Sequence, residues 1–342
     1  MRAAVFQGAG QKLRVEQRPD PAPGPGQVVL RLGACGICTT DVSVTSGRGS
    51  IQVPPGFVPG HEYAGEVVAL GAQVERLRVG DRVAVLPCPS CGTCASCLEG
   101  EPWWCANETP PQPGGFAEYA AVNERDTVLL PEPLTLADGA LVEPLAVGLH
   151  GVHLAQLDPG DRVLVLGAGP IGLATTFWAR RLGAGRIAVM ATSRRRERFA
   201  SELGASAFLV AGEDPAAQAA EALGGPPRIV IEAAGVAGAL ARALDVVADR
   251  GTVLALGFLT VADSFVPALA MRKQVRLQFA WAYGMRDYRH VVETLAAGAV
   301  QPRAMITETV SLDGLVDVFE TLRGPNQQCK VMVEPNASRR DD

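Results

Sequence analysis

Six consecutive residues, Gly167-Ala168-Gly169-Pro170-Ile171-Gly172, restrict the fold of this chain more than any other stretch of it. They follow an apolar run, RVLVL at 162–166, and open a segment of helical pattern that continues through Trp178. Glycine at the first, third and sixth positions allows a sharp turn, close approach of a ligand to the backbone and tight packing of helix on strand. The helix N-terminus presents unpaired N–H groups to an anion. A second apolar strand at 187–190 follows at βαβ spacing, which separates this turn from a glycine turn in an unrelated α/β protein. Gly167, Gly169, Pro170, Ile171 and Gly172 are therefore expected to contact a dinucleotide.

The residues after the second strand indicate which dinucleotide. A fold that takes NAD usually places Asp or Glu there, where the carboxylate accepts hydrogen bonds from the adenosine ribose. This strand runs instead into Met190-Ala191-Thr192-Ser193-Arg194-Arg195-Arg196. A 2′-phosphate would meet no repulsion, and Thr192, Ser193, Arg194 and Arg195 could hold it by charge-assisted hydrogen bonds. The alternative is that the arginines are a solvated helix start. NADP(H) is expected over NAD(H).

The texture of the chain divides it. From 28 to about 86, short apolar runs such as QVVLRLGACGIC, HEYAGEVVALG and DRVAVL are cut by Gly and Pro, the pattern of strands and tight turns. From 163 onward strands alternate with helical segments, which predicts a parallel sheet. After about 283 a helical stretch leads to the strand-like QQCKVMVEP, too short for a domain of its own. The expected fold class is α/β, with a largely β catalytic domain at 1–148, a Rossmann dinucleotide-binding domain at 149–285 and a C-terminal segment at 286–342 that returns to the first domain. The terminal ASRRDD is expected to be mobile.

A length of 342 residues exceeds the usual single core, and 48% hydrophobic residues can fill two. A net charge of −5 leaves no basic excess for nucleic acid or an anionic bilayer. The most apolar stretch, 163–179, is broken by glycine and proline and falls short of the roughly 20 residues of a membrane helix. The start of the chain lacks the apolar core of a signal peptide, so a cytoplasmic protein is expected.

Five of the eight cysteines crowd between Cys88 and Cys105, and in a reducing compartment they point to metal rather than disulfides. Cys91, Cys94, Cys97 and Cys105 supply four thiolates, the inventory of a closed, structural zinc site in a lobe at about 88–106. Cys88 is read as a bystander, and Cys35 as core. A second, dispersed set consists of Cys38 in ACGICTTD, His61 with Glu62 in PGHEYAGE, and Glu143 in LVEPLAVGLHG. Mixed S, N and O ligands suit a catalytic zinc with an open position. Sequence alone does not bring these residues together, and Cys35-x-x-Cys38 could equally be redox or structural.

Taken together, CGICTTD at 35–41, GHEYAGEV at 60–67, VGDRV at 79–83, the four-cysteine lobe, GGFAEY at 114–119, EPLAVGLHG at 143–151 and the GAGPIG turn resemble the zinc-containing branch of the medium-chain dehydrogenase/reductase family. The likeness runs from Met1 to about Pro335. It implies a GroES-like catalytic domain, with Cys38, His61 and Glu143 as catalytic zinc ligands and Glu62 able to enter the coordination during turnover. It makes Thr40 the hydroxyl that contacts the substrate oxygen. Many relatives have a histidine five residues beyond the ligand cysteine as the outer end of a proton relay; Ser43 stands there, and water could serve. Glu143 resembles the polyol, sugar and threonine dehydrogenases more than the ethanol enzymes, which carry cysteine there.

The expected protein is thus a zinc-dependent alcohol or polyol dehydrogenase with two zinc ions per chain and NADP(H), acting on a small secondary alcohol, diol or sugar. The competing readings are a zinc-free enone or quinone reductase and a non-catalytic dinucleotide-binding relative. A homodimer or homotetramer is expected through the strand-like stretch 274–279. Phe57 and Trp281 are weak hints of pocket aromatics, and His150 and His153 are read as packing residues on a helix.

Overall fold

The computed structural model describes residues 1–47 and 51–337; the tail expected to be mobile, from Ser338 on, lies outside them. The chain forms two compact units, Met1–Glu143 with Tyr283–Asp342, and Pro144–Ala282. The breaks thus fall after Glu143 and Ala282, where the sequence reading set them after 148 and 285. Glu143 lies inside one continuous helix, Leu136–Ala155, so no change of texture marks the first break.

The first unit is built on a seven-stranded sheet. Its main path runs Ile306–Ser311, Lys330–Glu334, Gln27–Gly36, Glu62–Leu70, Arg82–Val85, Thr127–Leu129, and Tyr119–Asn123 also pairs with Gln27–Gly36. Val28, Leu30 and Leu32 alternate inward at the period of a strand and are fully buried. They share one core with Tyr63, Val83, Val85, Phe116 and Val122, and with Leu312, Phe319, Val331 and Val333 from the end of the chain. The C-terminal strand is therefore stitched into the N-terminal sheet, with Met332 opposite Gly36 and Val333 opposite Cys35. The neighbouring pair places Gly36 opposite Glu62.

The second unit holds a six-stranded sheet in the order Ala207–Val210, Arg186–Ala191, Arg162–Leu166, Ile229–Glu232, Thr252–Ala255, Arg276–Phe279, parallel throughout. Numbered along the chain this is 3-2-1-4-5-6, the doubly wound Rossmann order, and its switch point lies between Arg162–Leu166 and Ile229–Glu232. The unbroken Val, Ile and Leu of the central strands suit a sheet covered on both faces. Helix Pro170–Arg181 starts directly after Gly169, with proline at its first position, where a missing N–H costs nothing. Among the described residues no helix is long and apolar enough to cross a membrane.

Candidate active site

The register that sets Gly36 opposite Glu62 brings the first metal candidates together. Cys38 lies two residues beyond the end of one strand and His61 immediately before the other, so one pairing fixes both. Ligand atoms of Cys38, His61 and Glu62 all lie within 4.8 Å of one another. Position 36 must be glycine here, because a Cβ would occupy the place of Glu62 Oε2. Asp41, absent from the sequence-predicted set, organises the group: its carboxylate accepts from Cys38 N at 3.0 Å and Gly60 N at 3.0 Å, and lies 3.2 Å from His61 Nδ1. Burial would raise the Asp41 pKa, but His61 and these donors outweigh it and hold the carboxyl below its ordinary value. Burial likewise disfavours a charged His61, yet Asp41 and Cys38 beside it push its pKa well up.

Thr40 and Ser43 both lie on the short helix Thr39–Val44, one turn apart, and Thr40 N donates to Cys38 Sγ at 3.4 Å. Glu143 stands outside the 4.8 Å group. It is buried, and its Oε1 accepts from the Tyr283 hydroxyl at 2.8 Å. Burial, opposed by His61, pushes the Glu143 carboxyl up to about 7. Glu62 is engaged by Lys330, another residue sequence reasoning missed.

The four cysteines of the lobe also meet, with ligand atoms within 4.8 Å of one another. Cys91 and Cys97 sulfurs are 3.8 Å apart, and Cys94 and Cys105 sulfurs 4.0 Å. A tetrahedron with bonds of about 2.3 Å to sulfur has edges of about 3.8 Å, so the cluster fits a zinc ion. Thr93 N, Cys94 N and Asn107 Nδ2 point at Cys91 Sγ from 3.4, 3.3 and 3.3 Å, which favours the thiolate. Thr93 contributes most to lowering the Cys91 pKa to about 5. Cys88 is buried outside this set, and Cys35 is fully buried.

In the second unit, Gly167 has φ +103°, the left-handed region, and a Cβ on Gly172 would collide with the Gly167 carbonyl. Both glycines are thus required by the turn itself. Beyond Ala191, the exposed Arg194 pairs with Glu197 at 2.7 Å, and Arg195 Nε donates to Ser193 Oγ at 3.0 Å. Arg196, which the sequence reading left out, reaches back to the Ala168 carbonyl at 3.3 Å and so borders the glycine turn. Across the switch point, Glu232 accepts from Ala234 N at 2.8 Å and Gly235 N at 2.9 Å, fixing the facing loop. Phe57 packs on the core of the first unit, while Trp281 is half exposed in the second, tilted against Phe258.

Residues 24–132 match the family described as alcohol dehydrogenase GroES-like domain, and residues 170–297 match zinc-binding dehydrogenase. The chain is 33% identical to the sorbitol dehydrogenase of Bacillus subtilis (strain 168), over 98% of each. Its fold superposes on 2R,3R-butanediol dehydrogenase from Bacillus subtilis with a TM-score of 0.87 at 29% identity, covering 98% of this chain and 99% of that one. A zinc-binding dehydrogenase from Sinorhizobium meliloti 1021, solved bound to NADP, gives 0.86 at 32% identity, again over 98% and 99%. With both family regions in order and relatives matched end to end, the chain belongs to the zinc-containing medium-chain dehydrogenase/reductase family and is a zinc-type alcohol or polyol dehydrogenase, EC 1.1.1.-.

Proposed function

We propose that this enzyme oxidises a secondary alcohol, diol or sugar, or reduces the matching carbonyl, with NADP(H) in preference to NAD(H), and that it holds two zinc ions. The observation that carries the reading is the meeting of Cys38, His61 and Glu62 within 4.8 Å. In this reading Met1–Glu143 with Tyr283–Asp342 is the catalytic part and Pro144–Ala282 the dinucleotide part. Cys91, Cys94, Cys97 and Cys105 hold the structural ion. Cys38, His61 and Glu143 hold the catalytic one, with Glu62 able to enter.

Zinc held at that second place would supply Lewis acidity toward the alcohol oxygen, and a nicotinamide bound by the second unit would supply the hydride acceptor. The rest is the work of the chain. Asp41 engages His61 Nδ1, which leaves Nε2 as the ligand nitrogen and fixes the ring. Thr40 receives the hydroxyl proton. Ser43, one turn along the same helix, passes it outward with water. Gly167, Gly169, Pro170, Ile171 and Gly172 receive the pyrophosphate at the helix N-terminus. Thr192, Ser193, Arg194 and Arg195 receive the 2′-phosphate. The names of the sorbitol and butanediol dehydrogenases support a polyol or diol substrate, and the NADP held by the Sinorhizobium protein supports the cofactor choice.

Self-association through Arg276–Phe279 belongs to the same proposal. This is an edge strand, and Phe279 on it and Met271 before it are 64% and 74% exposed. Sedimentation should find a dimer or tetramer at micromolar concentration, and a monomer alone would remove this part.

Metal analysis combined with a diol and polyol panel, followed at nicotinamide absorbance with each cofactor, tests the whole. Two zinc ions per chain and faster turnover with NADP+ are expected. One zinc with enone reduction would replace the reading by a reductase, and no turnover by a non-catalytic relative. Preference for NAD+ would remove the cofactor assignment alone.

A further inference from the structure

Glu143 is tied to the four-cysteine lobe through one aromatic side chain. The Tyr283 hydroxyl donates to Glu143 Oε1 at 2.8 Å, and the two residues are only 2% and 6% exposed. The Tyr283 ring is held by two others. It stacks on Tyr288, with centroids 5.7 Å apart and planes at 24°, and meets Trp103 edge to face at 5.9 Å and 79°. Tyr288 is anchored in turn by its hydroxyl on the Val85 carbonyl at 2.6 Å. Trp103 belongs to the lobe, two residues before Cys105. A second link is made by backbone: Met285 N donates to the Gly100 carbonyl at 2.8 Å, three residues after Cys97. Between them Gly284 lies close to the lobe, since a Cβ there would come within 2.7 Å of Glu101 Oε1 and the Glu101 side chain would have to turn aside.

We propose that Tyr283 is a positioning residue for Glu143, and that the four-cysteine lobe, through Trp103 and Gly100, holds Tyr283 in place. A phenol packed against two rings cannot move its oxygen without repacking them. Its hydrogen bond occupies one carboxylate oxygen of Glu143 and so directs the other, in the way that outer partners orient metal ligands. The lobe then has a duty besides folding: it sets the aim of a ligand of the other metal site. This inference rests on the reading of Glu143 as a ligand.

The test is zinc affinity in the full-length, zinc-loaded protein, measured by competition with a chelator that empties the mixed-ligand site before the four-thiolate site. Glu143→Gln should weaken the mixed-ligand site and leave the other alone. Tyr283→Phe keeps the ring and removes the hydrogen bond, and should weaken the same site about tenfold or more. Trp103→Leu should also weaken it, with Trp103→Phe restoring the affinity. Unchanged affinity in Glu143→Gln would overturn the ligand reading and the inference with it. A loss in Glu143→Gln with none in Tyr283→Phe would overturn the positioning role alone. A loss in Tyr283→Phe with none in Trp103→Leu would overturn the part played by the lobe.

Discussion

Lys330 Nζ lies 2.7 Å from both carboxylate oxygens of Glu62, and both side chains are shut from solvent. The ammonium also donates to the Ile37 carbonyl at 3.1 Å. Burial alone would lower the Lys330 pKa, but Glu62, with Cys38 and Glu143 beyond it, raises it, so the charge persists. A carboxylate close to Cys38 and His61 is thereby restrained through both of its oxygens. Removing one partner of such a pair leaves an uncompensated buried charge.

Lys330→Met should therefore lower stability by about 3–5 kcal/mol, the range for breaking a buried ion pair from one side. The double variant with Glu62→Gln should recover part of that loss, because no lone charge remains. Urea unfolding of the three proteins checks this. Equal midpoints for wild type and Lys330→Met would mean that the pair contributes nothing to folding.

A second ion pair gives a pH dependence. Arg303 donates to both oxygens of Asp138 at 2.6 and 2.7 Å, and Thr135 N and Oγ1 each donate at 2.7 Å. Burial would raise the Asp138 pKa, but Arg303 and Thr135 outweigh it and hold it below the ordinary 3.8. A depressed carboxyl pKa in the folded state gives stability that is complete above the unfolded value and lost as pH falls through the folded one. Arg303 is 43% exposed, so the contribution is discounted to about 1–2 kcal/mol. Asp138→Asn should lower stability at neutral pH and flatten its decline below about pH 4. A variant whose acid unfolding curve superposes on that of wild type would contradict this.

What could be read from the sequence was what lies close in sequence. Cys91 to Cys105 span fifteen residues and the glycine turn six, so their spacing already contains their geometry. Cys38, His61 and Glu62 meet only because Gly36 pairs with Glu62, and strand register is not written in chain order. Lys330 is 268 residues from Glu62, and Tyr283 140 from Glu143; no local pattern announces either contact. Asp41 did leave a signal, since it closes a capping box with Cys38 at the start of Thr39–Val44. Arg196 differs from Arg194 and Arg195 only in the direction its side chain takes, toward Ala168, which a run of three arginines does not reveal.

The two cysteine sets should respond differently to loss of a thiolate. Cys38→Ser is expected to abolish alcohol oxidation and remove one zinc per chain, with an unfolding midpoint close to wild type. Cys94→Ser should instead lower stability or solubility, because coordination in a closed thiolate site contributes directly to folding. Metal analysis, unfolding and activity of each variant decide the matter. Retained activity in Cys38→Ser would remove it from the catalytic set, and a fully stable, fully active Cys94→Ser would remove the structural role of the lobe.

On the proposed reading cofactor choice turns on Ala191, the last residue of Arg186–Ala191 and the place where NAD-binding folds carry a carboxylate. Ala191→Asp would offer the adenosine ribose an acceptor and repel a 2′-phosphate. Losing one charge-assisted contact costs about 1.5–3 kcal/mol, and each tenfold in specificity corresponds to about 1.4 kcal/mol, so a ten- to hundredfold shift toward NAD(H) is expected. Removing Arg195 should weaken NADP(H) and spare NAD(H), whose pyrophosphate contacts are proposed to fall at Gly167 to Gly172. Removing Arg194 should do less, because its guanidinium is already shared with Glu197. The measurement is the ratio of kcat/KM for the two cofactors in wild type and each variant. A wild type that already favours NAD(H) would make the arginines a solvated helix start and end the assignment.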